Sequence, residues 1–293
     1  MPQDQLKKII KIIEEKKLSS KEIERLEEDV LVIQKRLETG EYKVRSFSPK
    51  SSFDYQQRTD EFYGYLKDYC LAGQTFFKLF EKISSKRPSK VLELCPGWAP
   101  KVALGLYYFD FRGKYFLADK NTHSVQKMIE FMALFKTSYK IKEEQKDIFS
   151  LSGKYDWIVG NHILDDLILN EHCLENKIDP SSIYENEENF LIHWKNILHE
   201  SEKIEKVLIP KLAKKINNLT RKGGELILTQ YESMMERLLK LDQVTRFNQE
   251  KLKQLKKELI KLGWIDQKNL VQRALRGFKG FFVAQDCLMM QKV

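Results

Sequence analysis

The spacing of apolar residues changes part-way along the chain. Near the start, Leu6, Ile9, Ile10 and Ile13 recur at helical intervals. Ser19 and Glu22 then fit a capping box, and Ile23, Leu26, Val30, Ile33 and Leu37 line one face up to Gly40. This pattern predicts a helical hairpin over residues 1–40, which must bury its apolar stripe against the body of the protein or a partner. Residues 41–52 form a polar connection with proline and serine. Helical spacing returns from Phe53 to Ile83, through Phe62, Tyr65, Leu66, Leu71, Phe76, Phe77, Leu79 and Phe80.

Beyond the short basic loop at Pro88, short apolar runs alternate with helix-like stretches. The runs are VLEL (91–94), KYFLA (114–118), YDWIVG (155–160) and GELILT (224–229), and SVQKMIEFMALF (124–135) is one of the helices. Strand alternating with helix predicts an α/β domain, a mostly parallel sheet with helices on both faces. At the end, NLVQRAL (269–275) and KGFFVAQD (279–286) flank Arg276, Gly277 and Phe278 and read as a closing antiparallel hairpin. The expected organisation is a hairpin over 1–40, a helical lid or linker over 41–88, and the α/β domain over 89–293.

Composition supports a packed domain: 42% of the 293 residues are apolar and 32% are charged. No apolar run is long enough to span a membrane, and the N-terminal residues lack the pattern of a signal peptide. Cys70, Cys95, Cys173 and Cys287 are far apart and form no CxxC pair, which points to reduced thiols and a cytoplasmic location. The net charge of +9 is uneven. Residues 160–202 hold ten acidic residues against two lysines, and residues 203–279 hold 19 basic against eight acidic. A basic surface can attract nucleic acid, but charge runs on helices are commonly solvated faces.

The stretch VLELCPGWAPK (91–101) carries a strand into a loop at the edge where such sheets bind ligands. A dinucleotide needs G-x-G-x-x-G so that its pyrophosphate can lie on bare backbone, and those glycines are absent. Glu93, within the strand, would repel a pyrophosphate but suit a ligand carrying an ammonium group. The segment Glu93-Leu94-Cys95-Pro96-Gly97-Trp98-Ala99 resembles the E/D-x-G-x-G-x-G loop of class I S-adenosylmethionine-dependent methyltransferases, with Cys95, Gly97 and Ala99 at the glycine positions. The resemblance extends downstream through Asp119, the Gln145–Phe149 segment, YDWIVGNHILDDL and the GGELIL strand. Asp166 departs from it, standing where the family often has histidine.

That resemblance implies a seven-stranded, mostly parallel Rossmann-like sheet with an antiparallel last strand, here with an N-terminal helical extension. It also implies S-adenosylmethionine as cofactor and methyl transfer as activity. Glu93, Cys95, Gly97 and Ala99 would hold the methionine end, Asp119 the ribose, and Asp147 with Ile148 the adenine. Asn161 would line the cofactor near the methyl group. Each acid also fits a plainer role: Asp119 as a helix cap, Asp147 in a surface turn, Asp165 or Asp166 capping the next helix.

Methyl transfer needs alignment of acceptor and methyl group, and a base where the acceptor holds a proton. His162 and Asp165 are the candidates, with His162 alternatively a hydrogen-bonding wall residue. Tyr63 and Asp166 are candidates to line the substrate, and Phe53, Tyr55, Arg58, Tyr63 and Tyr65 to reach over the ligand, the aromatics suiting a cation. The histidines show no zinc spacing, so no metal is expected, and no P-loop or G-x-S-x-G occurs. The acidic segment favours a small-molecule acceptor, amines first, over nucleic acid, because the basic helix over 242–262 lacks interleaved aromatics. Alternatives are an aminopropyl or aminobutyrate transferase of the same fold (polyamine- or nicotianamine-synthase-like), an RNA methyltransferase, and a non-catalytic cofactor-binding scaffold. Membrane association is not expected, and the oligomeric state is open.

Overall fold

The computed structural model describes residues 66–83, 87–120, 122–144, 146–179, 183, 187–233, 236, 237 and 240–293. The hairpin expected over 1–40 and the residues Phe53, Tyr55, Arg58, Tyr63 and Tyr65 lie outside them. Seven strands form one sheet: β1 (Lys90–Leu94), β2 (Lys114–Ala118), β3 (Lys140–Glu144), β4 (Tyr155–Asn161), β5 (Thr220–Thr229), β6 (Trp264–Asp266) and β7 (Cys287–Lys292). Their order is β3-β2-β1-β4-β5-β7-β6. The first five run parallel, and β7 runs antiparallel between β5 and β6. This is the seven-stranded α/β sheet with a reversed last strand that the sequence pattern and the resemblance together imply.

Alternation along the strands sorts the side chains into two cores. Val91, Tyr115, Leu117, Trp157, Val159, Ile227 and Met289 face one side. Leu92, Leu94, Ile158, Leu226, Leu228, Leu288 and Met290 face the other. Helices α1 (Leu66–Phe80), α2 (Lys101–Tyr108) and α3 (Thr122–Ala133) cover the first side. Helices α4 (Ile163–Asn176), α5 (Glu187–His199), α6 (Ile209–Leu219) and α7 (Asp242–Lys261) cover the second. A five-residue π-helical segment, Ile204–Leu208, leads into α6. Both faces of the central strands are buried, which is why they read as continuous apolar runs.

The chain departs from the sequence pattern at its end. NLVQRAL is not a strand but lies in a helix, α8 (Lys268–Leu275), whose Val271, Ala274 and Leu275 are buried against the first core. Apolar positions at i, i+3 and i+4 suit a helix face, and seven residues are too few for period alone to separate helix from strand. KGFFVAQD forms a loop and a short 3-10 turn, Ala284–Asp286. The antiparallel pair is made instead by Trp264–Asp266 and Cys287–Lys292.

Helix α1, the end of the stretch read as a lid, packs into the body of the domain: Phe76, Leu79 and Phe80 are fully buried. It crosses α2 at glycine on glycine. A Cβ on Gly105 would stand 2.7 Å from Phe76 Cβ and 3.2 Å from the Gly73 carbonyl oxygen. Close approach there brings Phe80 onto Trp157, with ring centroids 5.4 Å apart. Gly105→Ala should therefore lower stability by about 1–2 kcal/mol in urea unfolding, since an overpacking cost of up to ~3 kcal/mol exceeds the gain of about 1 kcal/mol in helix propensity. A neutral or stabilising result would contradict that crossing.

Candidate functional site

At the carboxyl end of β1 the chain turns sharply. Cys95 has φ 49° and Gly97 φ 59°, both in the left-handed region. Glycine enters that region freely, whereas a residue with a Cβ is strained there by roughly 1–2 kcal/mol. Two hydrogen bonds hold the turn. The Cys95 N–H donates to the Ala118 carbonyl at 2.9 Å, extending the β1–β2 pairing by one step. The Gly97 N–H donates to Asp119 Oδ2 at 3.1 Å. A Cβ on Gly97 would meet nothing within 4 Å, so the backbone is open on that side. Ala99 and Trp98 pack at the edge of the first core, and Trp98 meets Tyr69 edge-on at 5.9 Å.

Glu93 lies beneath this turn. It is 2% exposed and accepts a hydrogen bond from the Tyr115 hydroxyl on β2. Burial raises its pKa to about 8, more than the Tyr115 hydrogen bond lowers it. Cys95 is half-buried, and its thiol is pushed well above the usual range by desolvation and then by Asp166, Asp119, Asp165 and Asp147. Four carboxylates thus act on one loop position, and a thiol held neutral there is no nucleophile.

The ends of β2 and β3 are tied together. Asp147 Oδ1 accepts from the Phe149 N–H at 2.7 Å, capping the short 3-10 turn Ile148–Ser150, and Oδ2 pairs with Lys120 at 2.6 Å. Burial tends to raise the Asp147 pKa, but the Lys120 ammonium and the Phe149 N–H outweigh it and hold the carboxyl below its ordinary value. Ile148 is 5% exposed and packs into the second core.

At the ends of β4 and β5, Asn161 stands beside Thr229. Its Oδ1 accepts from Thr229 Oγ1 at 3.0 Å and from the Tyr231 hydroxyl at 2.9 Å. Lys101, the first residue of α2, reaches across and donates to that hydroxyl at 2.9 Å. His162 has φ 60°, leads into α4 without a side-chain cap, and stands edge-on to Tyr231 at 4.2 Å. Its Nδ1 is 3.2 Å from Gln230 Nε2 and 3.5 Å from Asp165 Oδ2, and Gln230 Nε2 donates to Asp165 Oδ1 at 3.2 Å. His162 Nε2 is buried and has no partner. Asp166 is exposed in the first turn of α4, where the helix dipole favours a carboxylate.

The structure thus brings Cys95, Gly97, Ala99, Asp119, Asp147, Asn161, His162, Asp165 and Asp166 to one edge of the sheet, with Glu93 beneath and Ile148 packed at the rim. Sequence reasoning missed Lys101, Tyr231, Gln230 and Tyr115. The first three carried a legible signal: Lys101 closes the β1 loop, and Gln230 and Tyr231 directly follow β5, where a parallel sheet places its ligand contacts. Among the described residues, no group of three or more His, Cys, Asp or Glu is arranged to hold a metal, and no helix is long and apolar enough to cross a membrane.

No protein-family model matches the chain, and no curated protein matches it. Solved structures similar to it include the ribosomal protein L11 methylase of Lactobacillus delbrueckii subsp. bulgaricus, at 14% identity and TM-score 0.41, covering 78% of this chain and 80% of that one. The plantazolicin methyltransferase BpumL, in complex with SAH, aligns at 12% identity and TM-score 0.46, covering 83% and 94%. The mitomycin 7-O-methyltransferase MmcR aligns at 9% identity and TM-score 0.47, covering 90% and 67%. These likenesses are loose, and the functional reading rests on the site's own geometry.

The buried carboxyls imply a pH dependence. Glu93, pushed up to about 8, and Glu225, pushed up to about 7 by its burial in β5, hold protons more tightly folded than at the ordinary value of 4.5. Their contribution to stability is full below about pH 4.5 and is lost as pH rises through 7 to 8. Urea midpoints at pH 5, 7 and 9 should fall for the native chain. They should fall less for Glu93→Gln, by an amount on the order of a few kcal/mol across the range. Parallel profiles would show that Glu93 is ionised in the folded state.

Proposed function

We propose that the chain is an S-adenosylmethionine-dependent methyltransferase acting on a small molecule, with amines the first acceptors to test. The observation that carries this reading is the Gly97–Asp119 tie, set in a loop on which four carboxylates act. Such a site repels a pyrophosphate and attracts a ligand with a sulfonium and an ammonium group. The open face of Gly97 gives backbone access to that ligand. Asp119 accepts from the Gly97 N–H, and a carboxylate's two oxygens together can accept several hydrogen bonds, which suits it to ribose hydroxyls. Asp147 supplies acceptor oxygens for an adenine amino group, and Ile148 an apolar rim.

When bound, S-adenosylmethionine supplies a methyl group activated by its sulfonium. The residues that handle the acceptor's proton are His162 and Asp165. The Gln230 amide donates, so its 3.2 Å contact makes His162 Nδ1 the acceptor and puts the ring proton on Nε2, a buried atom with no partner in the folded chain, and Asp165 is the group of the pair placed to take the acceptor's proton. Asn161, fixed by Thr229 and Tyr231, gives the pocket wall a set orientation. Asp166, exposed at the start of α4, meets a cationic acceptor on its approach.

Calorimetric titration with S-adenosylmethionine and S-adenosylhomocysteine tests the reading. Micromolar dissociation constants are expected. Asp119→Asn, which keeps an acceptor for the Gly97 N–H but loses the charge, should weaken both ligands at least about 10-fold. No heat from either ligand with the folded native chain would sink the assignment and leave a scaffold. With acceptor present, adenosylhomocysteine is the expected product, whereas methylthioadenosine would point to aminoalkyl transfer.

A further inference from the structure

Lys101 has no part in the scheme above. Its ammonium is half-buried over the ends of β1 and β4, donating to the Tyr231 hydroxyl at 2.9 Å and lying 4.9 Å from the centre of the Phe281 ring. Among the described residues, no carboxylate makes an ion pair with it. The nearby acid beneath the turn, Glu93, has a pKa near 8 and so holds its proton at neutral pH, offering little opposite charge. An ammonium has three N–H bonds, and Tyr231 takes one. A half-buried cation without a counter-ion favours an anionic ligand.

The strand order says which part of a ligand lies there. With adenine at Asp147 beyond β3 and ribose at Asp119 beyond β2, a ligand along the sheet edge crosses Gly97 beyond β1 and ends at Asn161 beyond β4. That end is the methionine arm. It carries an ammonium, a sulfonium and one carboxylate, and a fixed cation repels the first two. We infer that Lys101 is the counter-ion of the cofactor's methionine carboxylate, and that it selects S-adenosylmethionine over decarboxylated S-adenosylmethionine. The inference rests on the methyltransferase reading and sharpens it. Aminopropyl transfer uses the decarboxylated donor, which leaves this lysine unpaired. Methyl transfer and aminobutyrate transfer both use the donor that retains the carboxylate.

The test is binding, not turnover. Native chain, Lys101→Met, Lys101→Arg and Tyr231→Phe are each titrated with S-adenosylmethionine, S-adenosylhomocysteine and decarboxylated S-adenosylmethionine, after thermal melting confirms folding. Lys101→Met should weaken the two carboxylated ligands by about 10- to 100-fold and the decarboxylated one by less than about 3-fold. Lys101→Arg should restore most of the loss. Tyr231→Phe, which removes the hydroxyl but keeps the ammonium, should preserve the preference for carboxylated ligands. Equal losses across all three ligands, or none, would overturn the counter-ion role while leaving the methyltransferase reading standing. A native preference for the decarboxylated ligand would overturn it in favour of aminopropyl transfer. Failure of the native chain to bind any of the three would remove the cofactor assignment and this inference together.

Discussion

The turn from Leu94 to Gly97 is the constraint on which the carboxyl edge depends. Two residues there have left-handed backbone, and one of them, Cys95, has a Cβ that makes this unfavourable. The strain is offset because both N–H groups reach fixed acceptors at the end of β2, the Ala118 carbonyl and the Asp119 carboxylate. Register makes that possible: Leu94 pairs with Ala118 on one side and Gly160 on the other, so the three central strands end level. With the ends level, Asp119, Gly97 and Asn161 form one row.

That row is electrically uneven, and the unevenness follows from burial. Glu93 is buried and Cys95 half-buried, where a charge is costly, and both are held neutral near pH 7. Asp119, Asp147, Asp165 and Asp166 lie above, and the field they exert on Cys95 marks an edge suited to cations. Lys120 is neutralised by Asp147, which also accepts from the Phe149 N–H, whereas Lys101 crosses to the far side of the turn and meets a hydroxyl instead of an acid. The two lysines therefore differ in what they leave for a ligand.

The packing beneath sets how firmly that edge is held. The glycine crossing of α1 and α2 lets Phe76 and Phe80 close over the first core, so the helix that begins at Lys101 rests on a buried layer. On the other face, α7 carries lysines at nearly every turn and reads as a solvated helix. Lys251 breaks that reading: it is 2% exposed, pairs with Glu205 from the π-helical segment, and lies 4.4 Å from the centre of the Phe247 ring. A charge pattern cannot reveal a partner on another helix 46 residues away in sequence.

The sequence by itself determined the sheet's central strands and the position of its carboxyl edge. Strands buried on both faces must be apolar throughout, and VLEL, KYFLA and YDWIVG have that texture. Polar residues at the ends of those runs must then fall at the carboxyl edge, which is why Asp119, Asn161, His162 and Asp165 were legible as a group. Tertiary structure decided what local pattern leaves undetermined. NLVQRAL suits either period, and only its packing on the first core makes it a helix. His172 and His193 have no ligand-like spacing in sequence, yet α4 and α5 bring their ring nitrogens within 3.2 Å. Lys101 and Tyr231 are 130 residues apart, and the Tyr115 hydroxyl reaches Glu93 only because β2 lies beside β1. Each of these depends on which strands and helices lie side by side, and chain spacing carries no information about neighbours brought together only by the sheet order.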